Sequence, residues 1–105
     1  MLNYLLAKFQ NPNKGFDPIS KKYAKKYFDD TYKLTGRIDR NLLELLKSNI
    51  ELNGKKVVDL GAGPGQYTLL LAKEGAQVHY HDISHNFVKL AIEKAAKEGY
   101  SFTHT

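Results

Sequence analysis

The chain has no cysteine. Disulfides, thiolate zinc sites and cysteine nucleophiles are therefore excluded. It also lacks any apolar run near the roughly 18 residues needed to cross a bilayer. The opening Met1-Leu2-Asn3-Tyr4-Leu5-Leu6-Ala7-Lys8 has too short an apolar core, and no basic lead-in, for a secretory signal. These absences point to a cytoplasmic protein with no membrane partner. Internal repeats and low-complexity tracts are missing as well. With 105 residues, 42% hydrophobic and 26% charged, what remains is one small globular domain with a modest core.

Charge is present in excess of one sign. The formal net charge is +5, and residues 1–33 hold seven lysines against Asp17, Asp29 and Asp30. A basic region of this kind attracts anions, so a nucleic-acid partner is permitted. Lysine without interleaved arginine is a weak nucleic-acid signature, however, and a solvated helix face is the better explanation.

The informative stretch runs from Lys55 to Ser84. Val57-Val58-Asp59-Leu60-Gly61-Ala62-Gly63-Pro64-Gly65-Gln66 reads as a buried strand entering a glycine-rich turn. Thr68 to Glu74 reads as a helix closed by Gly75, and Ala76 to His81 as a second strand with Asp82 at its end. Strand, glycine turn, helix, strand and acid make a mononucleotide-binding βαβ unit. Glycines permit backbone to approach a ligand where β-carbons would intrude. The first N–H groups of the following helix are donors without intrahelical partners. Asp82 stands 21 positions after Gly61, near the spacing at which an acid accepts hydrogen bonds from ribose hydroxyls.

The glycine spacing separates two cofactor classes. Dinucleotide sites use G-x-G-x-x-G. Here the run is Gly61-x-Gly63-x-Gly65, with Gln66 and Tyr67 where that fingerprint wants a small residue. Asp59 precedes the glycines by two. A carboxylate there repels a pyrophosphate and suits a cationic ligand group. Both features point away from NAD and towards a positively charged nucleoside.

These residues resemble a known family. Val57 to Gly65 is similar to motif I of the class I S-adenosylmethionine-dependent methyltransferases. Val78-His79-Tyr80-His81-Asp82-Ile83-Ser84 resembles the segment that follows it. The resemblance spans about Tyr27 to the C-terminus and implies a Rossmann-like α/β fold. It implies that S-adenosyl-L-methionine is the cofactor, held by Asp59, Leu60, Gly61, Ala62, Gly63, Gly65, Asp82 and Ile83. Asp59 would stand near the cofactor's amino group, Asp82 would take the ribose hydroxyls and Ile83 would pack beside the adenine. Tyr80 and His81 depart from the pattern, being bulkier or more polar than the residues common there. The chain also stops where the family's third strand begins.

The remaining elements follow from periodicity. Residues 1–10 suit a short amphipathic helix, and Asn11 to Pro18 a linker; residues 1–19 are taken as an extension and 20–105 as the N-terminal part of the domain. Ser20 caps a helix to about Leu34, with Tyr23, Ala24, Tyr27, Phe28 and Tyr32 on its apolar side. It is similar to the helix that small-molecule methyltransferases fold over the cofactor, and Tyr27 or Tyr32 can close the pocket or simply pack on the sheet. A helix from about Asp39 to Ile50 is expected to bury Leu42, Leu43, Leu45, Leu46 and Ile50. Asn53-Gly54 then stops it. Ser84 caps a helix to about Glu98, with Phe87, Leu90, Ala91, Ala95 and Ala96 inward. Tyr100 to His104 starts a third strand.

Other clusters are weaker. His79, His81, Asp82 and His85 invite a metal reading, but no distant further ligand is suggested. His81 or His85 are positional candidates for a general base; no catalytic residue is assigned. An unpaired first strand exposes an edge that favours self-association. The chain reads as the N-terminal portion of an S-adenosylmethionine-dependent methyltransferase with a small-molecule acceptor. The alternatives are a non-catalytic cofactor-binding or oligomerising module and, behind it, an NAD-dependent dehydrogenase.

Overall fold

Three parallel strands carry the architecture, as expected for a βαβαβ segment. The computed structural model describes residues 17–34 and 36–105. The helix expected over residues 1–10 and most of the linker lie outside the described residues. In chain order the elements are α1 (Lys21–Leu34), α2 (Gly36–Lys47), β1 (Lys56–Leu60), α3 (Gln66–Lys73), β2 (Gln77–His81), α4 (His85–Lys97) and β3 (Thr103–His104). The sheet order is β1-β2-β3, with Asp59 beside Tyr80 and His79 beside Thr103.

Side chains alternate across β2. Val78 and Tyr80 are buried, whereas His79 and His81 point the other way and are partly exposed. Two clusters form the core. Leu52, Leu71, Ala76 and Val78 make one, with Leu43, Leu46, Val57 and Ala72 against it. Ala62, Tyr80 and Ala91 make the other, with Val88 and Phe102. On the far side of β1 no strand pairs among the described residues, and Val58 and Leu60 are 61% and 74% exposed.

Three expectations change in detail. The second helix starts at Gly36 and ends at Lys47, before Asn53-Gly54. Ser48 Oγ and Asn49 Nδ2 each donate to the Leu45 carbonyl at 2.8 Å and end the helix early. Of its five aliphatic residues only Leu43 and Leu46 join the core; Leu42, Leu45 and Ile50 are exposed. The third strand is confined to Thr103–His104, because the Tyr100 amide still bonds the Ala95 carbonyl of α4 at 2.9 Å. On α4, Phe87, Ala91 and Ala95 are buried as expected, while Ala96 is exposed.

Capping follows the sequence closely. Ser20 Oγ accepts from the Tyr23 amide at 3.1 Å, and Ser84 Oγ from the Phe87 amide at 3.2 Å. Residues 17–19, read as linker, are bound into the fold instead. Asp17 accepts from the Asn86 amide at 2.9 Å, and the Ile19 carbonyl accepts from Asn86 Nδ2 at 2.6 Å. These bonds pin the start of α1 to the first turn of α4, where a carboxylate is also favoured by the helix dipole. Asn86→Ala is expected to cost about 1–2 kcal/mol of stability, and to raise protease cleavage before α1, by removing the side-chain bond. Urea unfolding together with limited proteolysis checks this.

Glu98 ties α3 to α4. Its carboxylate lies 2.7 Å from Lys73 Nζ and 3.4 Å from Lys94 Nζ. The Lys73 hydrogen bond, followed by the charges of both lysines, lowers its pKa below the usual 4.5. The stabilisation is thus complete above the ordinary carboxylate range and lost as pH falls through the lowered value. Glu98→Gln is expected to remove that part of the acid sensitivity, at a cost below about 1 kcal/mol near neutral pH. Melting temperatures taken near neutral pH and in acid, for both proteins, measure it.

Candidate functional site

The site forms where β1 and β2 end. Beyond Leu60 the chain turns through Gly61, Ala62, Gly63, Pro64 and Gly65 into α3. The turn is tied to the neighbouring strand: the Ala62 amide donates to the His81 carbonyl at 3.0 Å. The Gly63 amide donates to Asp82 Oδ2 at 2.9 Å, and the Ser84 amide to Asp82 Oδ1 at 2.8 Å. Each carboxylate oxygen of Asp82 is therefore oriented by a backbone amide and keeps acceptor capacity for a further donor.

Asp59 is held in a similar way. Thr68, fully buried in the first turn of α3, donates from Oγ1 to Asp59 Oδ2 at 2.7 Å. That bond fixes the carboxylate at the mouth of the turn. Both acids face one cleft of about 450 Å³, which Leu60, Gly61, Ala62 and Gly63 also line. Its opposite wall is Ile19, Tyr23, Tyr27 and Phe87. Tyr23 and Tyr27 stack at 6.1 Å, and Tyr27 meets Phe87 edge-on at 5.7 Å.

The glycines serve two purposes. Gly61 and Gly63 have φ of +63° and +53°, and a Cβ at either would meet no atom within 4 Å. Open space above a left-handed backbone is what close approach of a ligand requires. Gly65 lies beneath the cleft. A Cβ there would stand 2.9 Å from Ala91 Cβ, so its small size serves helix packing.

The remaining sequence candidates fall outside the cleft. Ile83 is 72% exposed beside Asp82 and does not line it. His81 Nδ1 is 3.1 Å from Thr105 Oγ1, and His79 lies 2.8 and 3.0 Å from the Thr103 and Thr105 hydroxyls. His85 is exposed. Among the described residues no group of three or more His, Asp or Glu side chains is arranged to hold a metal ion. Of the two tyrosines weighed for pocket closure, Tyr27 lines the cleft; Tyr32 donates instead to the Pro64 carbonyl at 3.0 Å, with Lys94 Nζ 4.9 Å from its ring centre. A larger hollow of about 740 Å³ lies at the N-terminal ends of the strands, around Lys56, Gln77 and Ser101. Ligands of such sheets bind at the carboxyl ends, where the glycine turn is.

Sequence reasoning missed Thr68 and Asn86. A hydroxyl one turn into the helix, three residues after Gly65, is the signal that points back to Asp59. Asn86 offered none, because its partners lie 67 and 69 positions away.

The residues fit an adenosyl ligand: a fixed carboxylate for a diol, a second for a cation, and open backbone between them. Fold and site together define the cofactor-binding end of a Rossmann-like, class I methyltransferase fold. Residues 57–105 match the family model described as a methyltransferase domain. No curated protein sequence matches the chain.

Solved structures agree. A SAM-dependent methyltransferase from Aquifex aeolicus is 27% identical with a TM-score of 0.59, over 81% of this chain and 45% of its own. The magnesium protoporphyrin IX methyltransferase of Synechocystis PCC 6803, solved with bound SAH, is 31% identical with a TM-score of 0.57, over 66% and 32%. A Methanococcus maripaludis protein shares the fold at 20% identity with a TM-score of 0.70, over 87% and 44%. The chain thus spans less than half the length of these structures. Among the described residues no helix is long and apolar enough to cross a membrane.

Proposed function

We propose that this chain is the cofactor-binding part of an S-adenosylmethionine-dependent methyltransferase acting on a small-molecule acceptor. The observation that carries the reading is the pair of fixed carboxylates, Asp59 and Asp82, flanking an open glycine turn in one cleft. The S-adenosylhomocysteine and S-adenosylmethionine bound by the Synechocystis relative support the same ligand here.

When bound, the cofactor supplies an electrophilic methyl group on a sulfonium. The protein's part is to bind, orient and exclude water. Asp82 accepts from the ribose hydroxyls, its oxygens already aimed by the Gly63 and Ser84 amides. Asp59 offers its carboxylate to the ligand's ammonium end. Gly61, Ala62 and Gly63 let the backbone approach, and Leu60 supplies apolar surface. Tyr23, Tyr27 and Phe87 wall the cleft on the α1 side. That concave aromatic wall suits a small acceptor. Two lysines of α1 pair with acids of the same helix, Lys25 with Asp29 and Lys26 with Asp30, which lessens the charge on offer to a nucleic acid.

Calorimetric titration with S-adenosylhomocysteine tests the proposal, with NADH as competitor. Binding on the order of micromolar, undisturbed by NADH, is the expected result. Displacement by NADH supports the dehydrogenase alternative. A folded chain that binds neither ligand contradicts the cofactor assignment.

A further inference from the structure

We infer that Tyr80 is a positioning residue that sets the geometry of the glycine turn from beneath. The inference rests on the cofactor reading for its consequence, but its geometry stands alone. Tyr80 is fully buried and lies beside Asp59 in the strand register. Its ring stacks on Phe102 at 5.3 Å and approaches Gly65, whose built Cβ would stand 3.6 Å from Cε2. Its hydroxyl donates to the Gly63 carbonyl.

A buried phenol needs an acceptor. Here the acceptor belongs to the residue whose amide is already held by Asp82. Gly63 is therefore gripped at both backbone groups by side chains two positions apart, Tyr80 within β2 and Asp82 just past its end. The short span between them brings both side chains to the same residue of the turn. Glycine at φ +53° has the widest choice of alternative conformations, and the two bonds remove that choice. The turn and the acid at the end of β2 then behave as one unit. The ordering is complete before a ligand arrives, which raises affinity without a new contact.

The phenol is also kept as a donor. Burial first, then the negative charges of Asp82 and Asp59, push its titration above the ordinary 10. It carries its proton throughout the physiological range. The length of the Tyr80 side chain is thus the reach needed to touch Gly63.

Tyr80→Phe tests this, because it keeps the ring and deletes the hydroxyl. Two readouts are taken. Amide hydrogen exchange of the unliganded protein reports on Ala62, Gly63 and Gly65. These are expected to exchange about ten-fold faster in the variant, while amides in the middle of α4 keep their wild-type rates. S-adenosylhomocysteine affinity is expected to fall about ten-fold. Val78→Ala, in the other core cluster, is the control for lost stability; it should lower the melting temperature and speed exchange uniformly, with no excess at the turn.

Turn amides that exchange at the wild-type rate in Tyr80→Phe overturn the inference. So does a uniform acceleration of all amides matching that of Val78→Ala, which marks a purely structural role. If the wild type binds no S-adenosylhomocysteine yet Tyr80→Phe loosens the turn alone, the positioning role holds and the cofactor reading fails. If the wild type binds and Tyr80→Phe binds equally well, the cofactor reading holds and the positioning role fails.

Discussion

Asp82→Ala is expected to weaken S-adenosylhomocysteine binding about a hundred-fold, on the order of 3 kcal/mol. Two losses combine in one substitution. The first is the acceptor for the ribose hydroxyls. The second is the anchor of the turn, because the Gly63 and Ser84 amides both donate to this carboxylate. Alanine leaves those amides without their side-chain partner and frees the turn. Asp82→Asn separates the contributions: it retains the shape and one acceptor oxygen, and should lose an intermediate amount. The measurement is calorimetry on variants whose circular dichroism matches the wild type. Wild-type affinity in a folded Asp82→Ala protein would remove Asp82 from the site.

Gly65→Ala is expected to destabilise the fold by about 2–4 kcal/mol. The backbone there has φ +79°, a conformation that costs an L-residue about 1–2 kcal/mol. The added Cβ also stands 2.9 Å from Ala91 Cβ and 3.7 Å from the Ala91 backbone, so α4 has to shift. Small domains are stable by only about 5–15 kcal/mol, so a loss of this size is readily seen in urea. Gly61→Ala makes the contrast. Its φ is +63°, but nothing lies within 4 Å of the new Cβ. It should carry the backbone cost alone while obstructing the ligand. Combining Gly65→Ala with Ala91→Gly should recover part of the loss, since the two Cβ atoms are the clash. Strict additivity of those two variants would show that Ala91 is not the obstacle.

The two substitutions show how one glycine-rich run serves different ends. In the sequence Gly61, Gly63 and Gly65 are equivalent small residues at alternate positions. In the structure the first two face the cleft and the third lies under it, against α4. Only the path of the turn decides this, because it depends on where α4 crosses.

Much of the fold is legible in the sequence. Local chemistry reveals itself locally. Ser20 and Ser84 cap the helices that follow them, because a cap is a contact across three residues. The acid at the end of β2 was marked by its distance from Gly61. Asp59, Leu60, Gly61, Ala62, Gly63 and Asp82 do line one cleft. The βαβ order followed from hydrophobic runs punctuated by glycine, and so did the parallel pairing that such an order demands. The strength of α2's apolar face misled, since periodicity says that a face exists and not what covers it. Leu42, Leu45 and Ile50 are exposed, whereas Leu43 and Leu46 pack against the cluster that holds Leu71 of α3.

The sequence by itself determined the class of fold, the strand order of the βαβ unit and the acid and glycines of the site. Those features rest on short-range spacing and on residue types with few substitutes. The tertiary structure alone decided the rest: Tyr80 beneath Gly63, Thr68 behind Asp59, Asn86 pinning the start of α1, and Tyr23 and Tyr27 along the cleft. Each of these joins groups brought together by the crossing of separate elements. A hydroxyl or an amide in a sequence does not announce which distant carbonyl it will meet; packing of the apolar clusters around it makes that choice.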